Sequence, residues 1–193
     1  MDDQPDSTTA PMAGPDTEGR GCSRGRSRGR GRGRGRGRDI VLVDLENLMA
    51  GSWADPAQLQ AALDTVERVA TAPGRRLTFA MSHHWFKAVG FDVKARFPGC
   101  RISPLESGPD GADESLIRAA REDRPEHGDT VVIVSGDGGF APLAGELAGR
   151  GIDVTVVGWH HRTSRRLRLA CTTFVAVEDI ASRPVSPQAA DAA

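Results

Sequence analysis

The stretch 131-VVIVSGDGGFAPLAGELAGRGIDVTVVG-158 decides the fold. The apolar run at 130–135 (TVVIVS) lacks polar alternation, which marks a strand buried on both faces. From about Phe140 to Ala148, the residues Phe140, Leu143, Ala144 and Leu147 recur at helical spacing, and Gly149 and Gly151 end the helix. IDVTVVGW (152–159) is apolar again. Strand, helix and strand in direct succession form a βαβ unit, which implies parallel strands joined by a crossover helix.

The same alternation extends in both directions. DIVLVDL (39–45) reads as a buried strand. Asp55-Pro56 then supplies an N-cap and a first-turn proline, and Leu59, Ala62, Leu63, Val66, Val69 and Ala70 follow at helical spacing. RLTFAMS (76–82) is a second strand, HWFKAVGFDVKARF (84–97) a helix, and CRISPL (100–105) a short strand. GADESLIRAARE is a helix with Leu116, Ile117 and Ala120 inward. SRRLRLAC is a short basic helix, and TFVAVED (173–179) a final strand. Strands alternating with helices of this length predict an α/β fold, a mostly parallel central sheet covered on both faces. The predicted domain covers 39–181, flanked by a tail at 1–38 and another at 182–193.

The chain has 193 residues and a net charge of −1, which conceals an uneven distribution. Residues 1–18 carry five acids and no Lys or Arg. Residues 19–38 carry nine Arg and no acid, and the remainder carries 21 acids against 16 bases. The first 38 residues lack aromatic side chains and are rich in Gly, Pro, Ser and Asp, a composition that predicts disorder. Their Gly/Arg alternation presents Arg24, Arg26, Arg28, Arg30, Arg32, Arg34, Arg36 and Arg38 as a cationic segment suited to nucleic-acid phosphates without base reading. The bland alternative is a tail that only keeps the protein soluble. Arg162, Arg165 and Arg166 form a second cationic stretch after the fifth main strand.

Cys22, Cys100 and Cys171 lack disulfide-framework and metal-ligand spacing. No secretory signal opens the chain, and no apolar run approaches the ~20 residues of a membrane span. The expectation is a cytoplasmic protein with no membrane contact, with homo-oligomerisation left open.

The turn Gly136-Asp137-Gly138-Gly139-Phe140-Ala141 matches the G-x-G-x-x-G/A loop of dinucleotide sites. Three features oppose that reading. The match follows the fourth strand, not the first; the first turn, DLENLMAG, is acidic; and Asp137 would set a negative charge beside a pyrophosphate. A metal ion offers another use for that carboxylate. Sites in open parallel sheets form outside the carboxyl ends of strands. Asp44 and Asn47 follow the first strand, Ser135 and Asp137 the fourth, and Asp113 begins a helix whose N-terminus lies on the same edge. Three converging carboxylates would repel without a cation between them, and oxygen donors suit Mg²⁺ or Mn²⁺. Each residue alone has a simpler use: Asp113 as an N-cap, Asp44 or Asn47 in a turn. The pairs His83-His84 and His160-His161 lie at strand exits and carry a weaker case for phosphate contact.

IVLVDLENL, GADESL, VVIVSGDGGFAPLAGELAGRGIDVTVVG and SRRLRLACTTFVAV, in that order, resemble the NYN domain of the PIN-like nuclease superfamily over about residues 39–180. The resemblance implies a PIN-like three-layer α/β/α sandwich and a metal-dependent ribonuclease acting on RNA, single-stranded for preference. It assigns Asp44, Asp113 and Asp137 as the acidic centre for Mg²⁺ or Mn²⁺, supported by Asn47 and Ser135. The family's turn commonly reads S-G-D-x-D-F, whereas this chain has Gly139 at the second acid, with Glu46 or Glu114 as candidate substitutes. Two other functions fit parts of the sequence: an RNA-binding module of weak or no catalysis, and a nucleotide-binding Rossmann-like protein.

Overall fold

A computed structural model describes residues 37–49, 55–70, 74–103 and 111–182. The two predicted tails, with Arg24 to Arg36 in the first, lie outside the described residues, apart from residues 37, 38 and 182. Six strands form one sheet: β1 (Asp39–Asp44), β2 (Arg76–Ala80), β3 (Arg101–Ile102), β4 (Thr130–Val134), β5 (Asp153–Gly158) and β6 (Thr173–Ala176). Their order is β3-β2-β1-β4-β5-β6 and every pairing is parallel. The helices are α1 (Leu45–Leu48), α2 (Pro56–Val69), α3 (His83–Arg96), α4 (Gly111–Asp123), α5 (Ala141–Gly149), α6 (Arg165–Ala170) and α7 (Val177–Ala181).

The period of two along β1 builds the layers. Val41 and Val43 join one core with Leu77, Phe79, Val132 and Val134 against α1, α2, α3 and α7. Ile40 and Leu42 join the other with Val131, Ile133, Val154 and Val156 against α4, α5 and α6. A strand feeding both cores has no face left for polar residues, which is why β1 and β4 read as unbroken apolar runs. The chain winds outward from β1 to β3 on one side, returns to the centre at β4, and winds outward again to β6. The switch between the two windings lies between β1 and β4, and in open parallel sheets sites form outside the carboxyl ends at such a switch.

Local signals set most boundaries. The Asp55 carboxylate accepts the Ala57 N–H at 2.9 Å and starts α2 ahead of Pro56. Gly151 takes φ +75°, a left-handed conformation that costs glycine little, directly after α5. Two expectations need correction. The final strand stops at Ala176, and residues 177–181 turn into α7, which buries Val177 and Ile180 against the α2 face. The third strand is Arg101–Ile102, shorter than the expected 100–105 at Cys100 and Ser103, while residues 104 and 105 lie outside the described residues.

Candidate active site at the switch of the sheet

β1 ends at Asp44, and its pairing with β4 runs Val43 against Val134, so Ser135 comes next to Asp44. Asp44 continues the Ile40–Leu42 face and Ser135 the Val131–Ile133 face, so both turn towards α4 and α5. Ser135 Oγ donates to Asp44 Oδ2 at 3.0 Å and accepts the Asp137 N–H at 3.1 Å. Asp44 Oδ1 accepts the Asn47 N–H at 3.1 Å, which starts α1, a helix the sequence did not announce. Asn47 Oδ1 in turn accepts the Gly136 N–H at 2.8 Å. Each side chain thus ties the exit of β1 to the exit of β4.

Asp44 is only 5% exposed. Burial pushes its carboxyl up to about 6; the bonds from Asn47 and Ser135 pull against that, and the charges of Glu46 and Asp137 add to it. Glu46 accepts the Ser82 N–H just before α3, so this candidate substitute for a missing acid is anchored at the β2 exit. Glu114 is exposed on α4 alongside Ile117, Arg118 and Arg121.

Asp137 is exposed and caps the short 3₁₀ turn Gly138–Phe140, its Oδ1 accepting the Gly139 N–H at 2.7 Å. Fully buried Phe140 fixes the far end of that turn in the α4/α5 core. Asp113 lies in the first turn of α4 as its third residue, so it is not the cap. A side chain at Gly139 would begin 3.1 Å from Asp113 Oδ2 and 3.3 Å from Asp137 Oδ1. The two carboxylates therefore bracket a single point, which Gly139 leaves open. Among the described residues, no three His, Cys, Asp or Glu side chains form a group able to hold a metal ion. The structure thus brings Asp113 and Asp137 together and keeps Asp44 buried behind the turn, with both its oxygens hydrogen-bonded.

A third strand exit joins this edge. The Gly136 carbonyl accepts the Ser164 N–H at 2.9 Å, and a Cβ on Gly136 would meet the Arg162 carbonyl and Thr163 Cα at 3.2 Å. Thr163 and Ser164 were not foreseen; the close approach depends on glycine at 136, and only the position of Ser164 before a basic helix hinted at it. Arg162 and Arg165 flank this pair and are exposed, as is Arg166. Arg38 belongs elsewhere. Its guanidinium holds Asp129 through Nε at 3.1 Å and Nη2 at 2.6 Å and reaches the carbonyls of Asp123 and Arg124. That clamp sits at the start of β1, the opposite edge of the sheet, and makes Arg38 an anchor of the fold. His83 and His84 open α3, exposed. His160 and His161 lie in the turn after β5, beside Glu178.

Among the described residues no helix is long and apolar enough to cross a membrane. A search of curated proteins finds no match. A solved structure of a protein of unknown function from Vibrio parahaemolyticus is similar in fold, with a TM-score of 0.55 and 20% identity over 75% of this chain and 95% of that one. A family model, the NYN domain, matches residues 40–178, from the second residue of β1 into α7. With that span matched and a six-stranded parallel sheet flanked by helices, the chain belongs to the NYN domain family, consistent with the PIN-like nuclease superfamily.

Proposed function

We propose that this protein is a metal-dependent endoribonuclease acting at the carboxyl edge of β1 and β4. The observation that carries the reading is the convergence of Asp113 and Asp137 on one point, on a turn that Ser135 ties to Asp44. The NYN domain supplies a nuclease-like fold to support it.

The donor set at that point is carboxylate oxygen. Mg²⁺ and Mn²⁺ are commonly held by one or two carboxylates, waters and substrate phosphate oxygens, so the residues fit such an ion. Asp113 and Asp137 would hold it. When bound, the ion polarises the phosphodiester, lowers the pKa of a water and steadies the leaving oxygen. The chain's own residues do the positioning. Ser135 and Asp44 fix the backbone of Asp137, and Asn47 fixes Gly136 beside it. Arg162, Arg165 and Arg166 offer cations to the RNA phosphates next to an otherwise acidic rim, and the Arg/Gly segment at 24–36 adds sequence-independent RNA capture.

The test is cleavage of single-stranded RNA by highly purified protein. Cleavage should require Mn²⁺ or Mg²⁺, stop in EDTA, and fall at least about a hundredfold in Asp44→Asn. Equal cleavage in EDTA and in the variant would overturn the reading. A second reading, RNA binding without cutting, is favoured by Gly139 in the place of the family's usual acid. It predicts salt-sensitive binding that disappears on removal of residues 19–36, which spares the Arg38 anchor, with no metal-dependent turnover.

A further inference from the structure

An apolar groove of about 430 Å³ opens on the same edge, on the α1/α2/α7 face. Its walls include Met49, Ala61 and Trp159, and its polar members include Gln58, His161 and Arg162. One residue links the groove to the candidate turn: Arg162 lines the groove, and its carbonyl lies 3.2 Å from where a Cβ on Gly136 would stand. Trp159 is half-buried, and its Nε1–H donates to the Leu48 carbonyl at 2.8 Å, so the indole is a fixed wall.

We infer that this groove is a base-binding subsite: it takes one unstacked nucleobase of an RNA strand whose phosphate meets Arg162, beside the Gly136–Asp137 turn. This rests on the ribonuclease reading above. A nucleotide is a flat apolar ring with a polar edge and an anionic phosphate, and the groove offers the complement of each part. The indole and the aliphatic walls contact the ring, the exposed Gln58 amide can donate and accept at its edge, and Arg162 meets the phosphate. His161 stands at the same rim, 3.6 Å from Glu178. The volume lies within the ~300–1,000 Å³ of small-molecule sites.

The experiment is fluorescence anisotropy with the full chain in EDTA, where no cleavage occurs, using short labelled single-stranded RNAs. Each RNA in the series lacks the base at one position. One position should weaken binding about tenfold, the effect of losing one base stack. Ala61 is exposed on α2, so Ala61→Trp fills the groove from its outer wall. That variant should bind the intact RNA about tenfold more weakly and show a flat scan across the series. Gln58→Ala, which removes no packed atom from the core, should blunt the same position alone. RNA bound tightly by the wild type with a flat scan, or a scan unchanged in both variants, overturns the base subsite and leaves the nuclease reading standing. No RNA binding at all overturns both.

Discussion

Asp44 lies buried behind the candidate turn, and its chemistry sets two opposing demands. Its folded pKa of about 6 lies above the ordinary 3.8, so the folded state binds its proton more tightly. Stability from this group is therefore full below pH ~4, falls as pH rises to about 6, and is absent at neutral pH, a loss on the order of 3 kcal/mol. Asp44→Asn should accordingly raise the metal-free stability at pH 7.5 by about 1–3 kcal/mol in urea melts and confer no gain at pH 4. The same substitution should abolish cleavage, a trade expected where a site carries buried charge. Gly139 makes the complementary case. A Cβ there points between Asp113 and Asp137 with only a few tenths of an ångström to find. Gly139→Asp should lower the melting temperature in EDTA through like-charge repulsion and tighten Mn²⁺ binding about tenfold or more by calorimetry. Unchanged Mn²⁺ affinity would mean that the point between the carboxylates is not where the ion sits. At this scale the sequence was informative where the strand-exit rule applied: Asp44 and Ser135 directly follow the two central apolar runs. Asp113 was placed on the right edge, but its closeness to Gly139 depends on how α4 lies across β1 and β2, which no local pattern specifies.

The elements that hold the site are short. α1 spans four residues and exists because the Asp44 carboxylate accepts the Asn47 N–H, while Asn47 spans the switch of the sheet. Asn47→Ala leaves the Gly136 N–H without that acceptor and should cost about 1–2 kcal/mol in urea melts, with a larger fractional loss in cleavage. A change in cleavage no greater than the stability loss explains would reduce Asn47 to a structural tie. Long periodic segments such as α2, α4, β1 and β4 were readable because burial on one or two faces imposes a pattern over many residues. α1 and α7 were not, being one turn each and set by a cap or by packing of two side chains, Val177 and Ile180. The 3₁₀ turn at Gly138–Phe140 was legible as a glycine turn, and the buried Phe140 shows why it holds its shape.

The folded domain has two differently built sheet edges. β1 enters at the Arg38–Asp129 clamp and leaves at Asp44, about 20 Å away for six residues of strand. Burial alone would raise the Asp129 carboxyl, but the bonds from Arg38 and the Glu126 N–H outweigh it and hold it below its usual value. The clamp's contribution is therefore complete above pH 3.8 and lost as pH falls through the lower folded pKa. Arg38→Ala should lower the urea midpoint at pH 7, with the difference from wild type shrinking in strong acid. Deleting residues 19–36 should weaken RNA binding and flatten its salt dependence while keeping the metal requirement of cleavage. Composition marked that segment and the acidic domain it precedes; it gave no sign that Arg38, the last of the series, serves the fold. The most direct measurement is the single-turnover rate of single-stranded RNA cleavage against Mn²⁺ concentration for wild type and Asp137→Asn. The wild type should show a saturable, metal-dependent rate, and the variant a rate lower by about a hundredfold or more at saturating metal. Indistinguishable curves for the two proteins would contradict an active site at Asp113 and Asp137.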